Sequence, residues 1–200
     1  MNILSESLSE LQKGFQTLPG IGEKTAQRLA YFIVNQPPER AIKLSNAIKN
    51  AIDRCKPCST CFLLSDTNPC NICRDDSRTN ETLCIVESSK DVFLIENTRE
   101  FNGKYFVLGN LLSPIDGIGP NEIRVNELND LLNKYDFKEI ILAISPSTEG
   151  ETTIHYLANH LNLSNVKITR LSTGLPFGGD MEYTGSTTLL NAIKRRFPVQ

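Results

Sequence analysis

No stretch of the 200 residues approaches the roughly 20 consecutive apolar side chains that cross a bilayer, and no basic segment leads into an apolar run at the N-terminus. The cytoplasm is therefore the expected location. The chain also lacks an internal repeat, a low-complexity tract and any G-x-x-x-x-G-K-[ST] phosphate loop, which argues against an ATPase. Net charge is only -2, so the molecule as a whole is not the strongly basic kind that binds nucleic acid by bulk attraction. That total conceals a gradient. Residues 1–57 hold eight Lys or Arg against five acids, a surplus of +3, which leaves -5 for the rest of the chain. Phosphate contacts are thus expected in the N-terminal quarter, because screening makes local charge count for more than the sum. There are only two histidines, His155 and His160, and five residues apart on a helix they do not share a face as a metal pair would; both read as surface or packing residues.

What is present is enough to build a core, since 40% of the residues are hydrophobic. Residues 4–53 read as helical, with Leu4, Leu8, Leu11 and Phe15, then Ala26, Leu29, Ala30 and Ile33, then Ala41, Leu44, Ile48 and Ile52 recurring at helical spacing. Pro37 and Pro38 separate the second helix from the third. From Cys55 to Cys73 the composition turns to Cys, Ser, Pro, Asn and Asp, too polar to fold by apolar burial alone. Short apolar runs then alternate with helical stretches. Leu83–Val86, Tyr105–Leu108, Ile140–Ile144 and Val166–Leu171 are predicted strands, with helices near 89–97, 121–135 and 151–162, an alternation that points to an α/β, mostly parallel sheet. A Gly-rich turn (Gly174, Gly178, Gly179) leads to a last helical segment, Ser186–Arg196.

Three constellations carry chemistry. In Leu18-Pro19-Gly20-Ile21-Gly22-Glu23-Lys24-Thr25-Ala26, Gly20 and Gly22 permit a tight hairpin between two helices, and the second helix starts with free amides and the positive end of its dipole. Lys24 and Arg28 stand one turn apart on the same face, so both can reach one phosphate strand. An ordinary helical hairpin with a surface Lys and Arg is the plain alternative. Next, Cys58-x-x-Cys61 and Cys70-x-x-Cys73 are two knuckles eight residues apart, the spacing of a closed, structural zinc site. Cys55-x-x-Cys58 is an equally good knuckle by spacing, and Cys84, inside a predicted strand, reads as a buried core thiol. Finally, Glu87 ends one predicted strand, and Ser145-Pro146-Ser147-Thr148-Glu149-Gly150-Glu151 follows another, the end of an open α/β sheet at which ligands bind.

The glycine turn resembles the helix-hairpin-helix motif of DNA-repair proteins. The sheet is similar to a Toprim domain, the module of topoisomerases and primases in which a strand-end Glu and an Asp-x-Asp pair hold Mg²⁺. Glu87 matches the first position and Glu149-Gly150-Glu151 the acidic turn after the Asp pair, while Ser145 and Ser147 fall where the two Asp residues belong. Because a hydroxyl is a poor ligand for a hard cation, the departure argues against two-metal cleavage and leaves Glu87, Glu149 and Glu151 as a weak Mg²⁺ site or as contacts for a basic partner.

The order of these parts, with Leu112-Ser113-Pro114-Ile115-Asp116-Gly117-Ile118-Gly119-Pro120 and Gly174-Leu175-Pro176-Phe177-Gly178-Gly179-Asp180, resembles the bacterial RecR family over essentially the whole chain. The resemblance implies a multidomain α+β protein: a helix-hairpin-helix DNA-binding region at 1–54, a four-cysteine zinc knuckle at 55–76 with Cys58, Cys61, Cys70 and Cys73 as ligands, a Toprim domain at 81–176 and a short C-terminal helical segment at 177–200. It favours the 58/61 pair over 55/58. It further implies a non-enzymatic recombination mediator of DNA repair, binding DNA without sequence preference through Gly20, Gly22, Lys24 and Arg28. Such a protein forms a ring-like homotetramer or a dimer, and partners RecO, and in many bacteria RecF, to load RecA onto single-stranded or gapped DNA coated by single-strand-binding protein. One structural Zn²⁺ per chain follows; Mg²⁺ stays open. The alternative is a Mg²⁺-dependent nuclease or primase using the Toprim acids, and a third reading is a zinc-stabilised scaffold that never touches DNA.

Overall fold

The computed structural model describes residues 5–161, 166–172, 174–175, 177–196 and 198. Leu4, Asn162 and Pro176, which the sequence reading places in a helix, at a helix end and in a turn, lie outside them. The chain folds as two units, Met1–Cys55 and Lys56–Gln200.

The first unit holds α1 (Glu6–Gln16), α2 (Glu23–Val34) and α3 (Pro38–Arg54). Ser5 caps α1 by accepting the Leu8 amide, and Pro38 opens α3 at a position whose missing N–H costs no helix bond. Where α1 and α2 pack, the buried residues of α2 are the small Ala26 and Ala30. Little else is buried. Tyr31, Phe32, Val34, Ile42, Leu44, Ile48 and Ile52 are all exposed, although the periodicity marks Leu44, Ile48 and Ile52 as one apolar face.

The second unit begins with a two-stranded antiparallel hairpin, β1 (Lys56–Pro57) and β2 (Leu64–Ser65), and the one-turn helix α4 (Asn71–Arg74). Then come β3 (Thr82–Val86), α5 (Ser89–Glu96), β4 (Lys104–Val107), α6 (Val125–Lys134), β5 (Glu139–Ala143), α7 (Thr148–His160), β6 (Lys167–Arg170) and α8 (Ser186–Lys194). The sheet order is β4-β3-β5-β6, and every neighbouring pair is parallel. Central strand β3 is buried on both faces, which is why Leu83-Cys84-Ile85-Val86 reads as an unbroken apolar run rather than an alternation.

Each face has its own core. Leu83, Ile85, Phe106, Ile140 and Leu142 pack with Leu128 and Leu131 of α6 and Ile154 and Leu157 of α7. On the opposite face Cys84, Val86, Tyr105 and Val107 pack with Val92 of α5 and with Cys58, Cys61, Leu63 and Cys70. The cysteine knuckle therefore shares a core with the sheet. The backbone joins it too, for the Val107 amide donates to the Cys61 carbonyl at 2.9 Å. Lys104 Nζ donates to the carbonyls of Ile72 and Asp75 at 3.1 and 2.8 Å, tying the end of α4 to β4. Beneath the same face Arg78 forks onto Glu96, which also accepts the Tyr105 hydroxyl at 2.7 Å. Burial opposes charge on Glu96, but the guanidinium and the phenol outweigh it and hold its carboxyl below the ordinary range.

Two helices start elsewhere than the sequence reading has them. Residues 121–124 form a turn, so α6 begins at Val125, and the non-helical Arg124 sends its guanidinium to the Val107 carbonyl at 3.0 Å. At the other, the Ser147 hydroxyl accepts the Gly150 amide at 3.0 Å and starts α7 at Thr148. Glu149-Gly150-Glu151 is thus the first turn of a helix and not a loop before one, a position in which the dipole favours acids.

Candidate functional site

The hairpin between α1 and α2 turns through Gly20 at φ +79°, with the Ile21 amide donating to the Leu18 carbonyl at 3.1 Å. Gly22 sits at the N-cap of α2 with no side chain to cap it, and the first helical bond runs from Ala26 N–H to the Gly22 carbonyl. The amides of Glu23, Lys24 and Thr25 have no acceptor within the helix, and they point where an anion would sit. Lys24 and Arg28 are both exposed. Among the described residues neither has a carboxylate partner. The turn therefore combines donors, a dipole end and two free cations, the set that holds a sugar-phosphate backbone without reading its bases.

The Sγ atoms of Cys58, Cys61, Cys70 and Cys73 all lie within 4.8 Å of one another, while Cys55 stands outside the group and Cys84 is buried elsewhere in the same core. Two of the edges measure 3.5 Å (Cys61–Cys70) and 3.9 Å (Cys58–Cys73), against the edge of about 3.8 Å expected for a tetrahedron of sulfurs about 2.3 Å from zinc. Backbone amides are already aimed at the sulfurs: Cys70 N–H donates to Cys58 Sγ at 3.3 Å and Cys73 N–H to Cys70 Sγ at 3.4 Å. Such donors favour thiolate over thiol. Four thiolates this close to one another repel. A dication removes that conflict, so the donor set fits zinc, which Cys58, Cys61, Cys70 and Cys73 would hold in a closed shell that folds the knuckle. Burial alone pushes Cys84 up to about 12, as expected of a core thiol.

This arrangement favours the 58/61 spacing over 55/58. Cys55→Ser should leave the zinc content at about one ion per chain, whereas Cys58→Ser should lower it, by metal analysis of purified protein. Equal losses from both variants would show that the first knuckle exchanges its pairs.

At the carboxyl ends of the strands, Glu87 follows β3 and Ser145 to Ser147 follow β5, neighbours at the point where the strand order reverses. Ser145, Pro146 and Arg170 line a cavity of about 470 Å³ there. The acids are not gathered into it as metal ligands. Glu151 is bound bidentately by Arg170 at 2.9 and 2.5 Å, and that hydrogen bonding holds its carboxyl below the ordinary range. Among the described residues the cysteines are the only group of three or more His, Cys, Asp or Glu with ligand atoms close enough to share an ion. With serines at 145 and 147 and a guanidinium on Glu151, these residues do not fit a divalent hard cation. His155 is exposed on the surface, and His160 stacks on Tyr156 with ring centroids 4.0 Å apart.

Comparison with known proteins covers all three regions. Residues 8–52 match the family model described as RecR, helix-hairpin-helix, residues 56–75 the RecR four-cysteine zinc finger domain, and residues 81–172 the Toprim domain. Proteins named Recombination protein RecR align over nearly the full length. That of Gloeobacter violaceus is 46% identical over 189 residues, 94% of this chain and 96% of its own. That of Gloeothece citriformis is 47% identical over 189 residues, 94% of each, and that of Myxococcus xanthus 44% identical over 191 residues, 96% and 97%. The chain belongs to the RecR family. For a RecR-family member the Toprim match and the serine pair are not in conflict, since the fold is kept while Ser145 and Ser147 stand where the Asp pair would be. Sequence reasoning placed the hairpin, the knuckle and the strand ends, but it missed Arg170, whose pairing with Glu151 joins residues 19 positions apart and leaves no spacing signal.

Proposed function

We propose that this chain is a DNA-binding mediator of recombinational repair that acts without catalysis. The hairpin grips the sugar-phosphate backbone through the amides after Gly20 and Gly22 and through Lys24 and Arg28, and zinc on Cys58, Cys61, Cys70 and Cys73 holds the knuckle. With RecO, and with RecF where present, it promotes loading of RecA onto single-stranded or gapped DNA coated by single-strand-binding protein, in the cytoplasm and at the nucleoid. One observation carries the reading: two exposed cations with no carboxylate partner among the described residues, beside the uncapped start of α2, in a RecR-family chain. No described helix is long and apolar enough to cross a membrane. The absence of catalysis is supported by Ser145 and Ser147 at the Toprim Asp positions and by the Arg170 clamp on Glu151. Glu87 and Glu149 remain as acids for a basic protein partner, with Glu151 engaged internally.

A homotetramer or dimer is supported by the first unit, which buries Ala26 and Ala30 yet leaves Phe32, Val34, Ile48 and Ile52 more than half exposed. So small a core is marginal unless another surface covers those side chains. Repetition of the +3 segment in such an assembly concentrates positive potential that the acidic total conceals.

The test is DNA binding by fluorescence anisotropy across a salt series, followed by RecA loading on gapped, protein-coated DNA with and without the cognate RecO. Lys24→Glu with Arg28→Glu should weaken binding by at least about tenfold and make the dependence of log affinity on log salt shallower by about 1.4 to 1.8. A complex indifferent to salt and to both charge reversals would exclude the hairpin as the DNA grip. Hydrolysis or joining of DNA by the purified protein would exclude the mediator reading.

A further inference from the structure

A groove of about 370 Å³ lies between the knuckle and the carboxyl ends of β3 and β4, lined by Pro57, Phe62, Leu64, Val107, Lys90 and Arg124 with Ser88, Ser89 and Gly109. Its cations are out of balance. No carboxylate lines the groove among the described residues, and neither Lys90 nor Arg124 is in an ion pair there. Arg124 is half-buried and held in place. Its guanidinium lies 4.5 Å from the centroid of the Phe62 ring and donates to the Val107 carbonyl at 3.0 Å. The chain passes so close that a Cβ on Gly109, itself at φ +90°, would meet Arg124 Nη1 at 3.0 Å. One of the five guanidinium N–H donors is used in this way, which leaves others for a ligand.

Two local choices oppose folding, and both furnish the groove. Phe62 adopts φ +62°, a left-handed conformation that glycine would take without strain, yet its ring is the platform under Arg124 and packs edge-on against Phe106 at 5.5 Å. Lys90 is the second residue of α5, so its ammonium stands at the positive end of the helix dipole, where a carboxylate would be favoured. The floor is apolar, with Leu64 48% exposed.

We propose that this groove docks an acidic peptide segment of a partner protein, its carboxylates on Lys90 and Arg124 and an aliphatic or aromatic side chain against Phe62 and Leu64. Charge complementarity selects the acids, and the apolar floor selects a peptide over a nucleic acid. The net -5 of residues 58–200 would repel a long polyanion laid across it but not a short segment anchored by one side chain.

Fluorescein-labelled Asp-Glu-Asp-Leu-Phe, titrated with full-length zinc-loaded protein in an anisotropy assay, tests this. Asn-Gln-Asn-Leu-Phe, Asp-Glu-Asp-Ser-Ser and an unlabelled oligothymidylate serve as controls. Saturable binding is expected to the first peptide, and weaker binding to both control peptides. Lys90→Glu and Leu64→Ser, both at surface positions, should each weaken it at least about fivefold, while Lys24→Glu with Arg28→Glu leaves it unchanged, separating this groove from the DNA hairpin. The proposal is overturned by absence of saturable binding, by indifference to both groove variants, or by equal affinity for Asp-Glu-Asp-Ser-Ser. Competition by the oligothymidylate that Lys90→Glu abolishes would reassign the groove to nucleic acid.

Discussion

Stripping zinc from the protein with a strong chelator should loosen the parallel sheet as well as the knuckle. Closed four-sulfur sites contribute on the order of 10 kcal/mol to a small folding unit, comparable with the whole stability of an ordinary domain at about 5 to 15 kcal/mol. Here that energy is not confined to the residues that hold the ion. Cys58, Cys61, Leu63 and Cys70 form one continuous core with Cys84, Val86, Tyr105 and Val107, and the Cys61 carbonyl is the acceptor for the Val107 amide. If the knuckle opens, that face of β3 and β4 meets water, and Lys104 loses the Ile72 and Asp75 carbonyls it holds. We expect the melting temperature of the sheet to fall by at least about 10 °C, since about 1 kcal/mol corresponds to 2–4 °C at this size. Amide exchange should speed up in β3 and β4 before β6, which is remote from the knuckle in the strand order. A sheet that melts at the same temperature with and without metal would mean the knuckle merely rests on it.

The coupling of knuckle to sheet shows where reading the sequence stops. The four cysteines were legible because metal ligation imposes a spacing, and β3 to β6 because burial on both faces imposes apolar runs. Helices α1 and α2 and the turn between them followed from periodicity and from Gly20 and Gly22. Neither rule speaks of what a surface meets. The stripe Leu44, Ile48 and Ile52 has the period of a buried face, yet it is exposed in the folded unit, because periodicity marks a face that wants cover without naming the cover. In the same way Cys58-x-x-Cys61 announces a metal but not that Phe62, the next residue, carries Arg124 on its ring, 62 positions along the chain. Glu151 reads as an available acid in the sequence, whereas Arg170, at the end of β6, occupies it in the fold. Helix starts differ from the sequence pattern for a smaller reason. A serine cap at 147 lengthens α7 by a turn, and the departure of Arg124 from helical geometry shortens α6, both set by single hydrogen bonds that residue patterns do not register.

Gly150→Ala should destabilise the protein by at least about 3 kcal/mol, although alanine is favoured over glycine inside helices by about 1 kcal/mol. Glycine 150 lies in the first turn of α7 and is buried, and a Cβ built there would come 1.9 Å from the Ser145 carbonyl oxygen and 3.2 Å from Ile144 Cγ2. The first of these neighbours is backbone, fixed at the end of β5, so relief requires the start of the helix to move away from the strand. That movement has further costs, since the Gly150 amide is the donor to the Ser147 cap, and Thr153 one turn on is buried and accepts the Leu112 amide at 2.9 Å. The helix gain is real but small beside an overlap of this size. At 2–4 °C per kcal/mol the melting temperature should drop by about 6 to 12 °C, measured by calorimetry on the zinc-loaded protein. Gly14→Ala is the matched control, because Gly14 lies within α1 with nothing inside 4 Å of its added Cβ, so the same substitution should there be neutral or stabilising. The contrast isolates packing from propensity. If Gly150→Ala melts within a degree of the parent, α7 does not sit against β5 as closely as the structure has it. The position of Glu149 and Glu151 at the strand ends would then have to be drawn again.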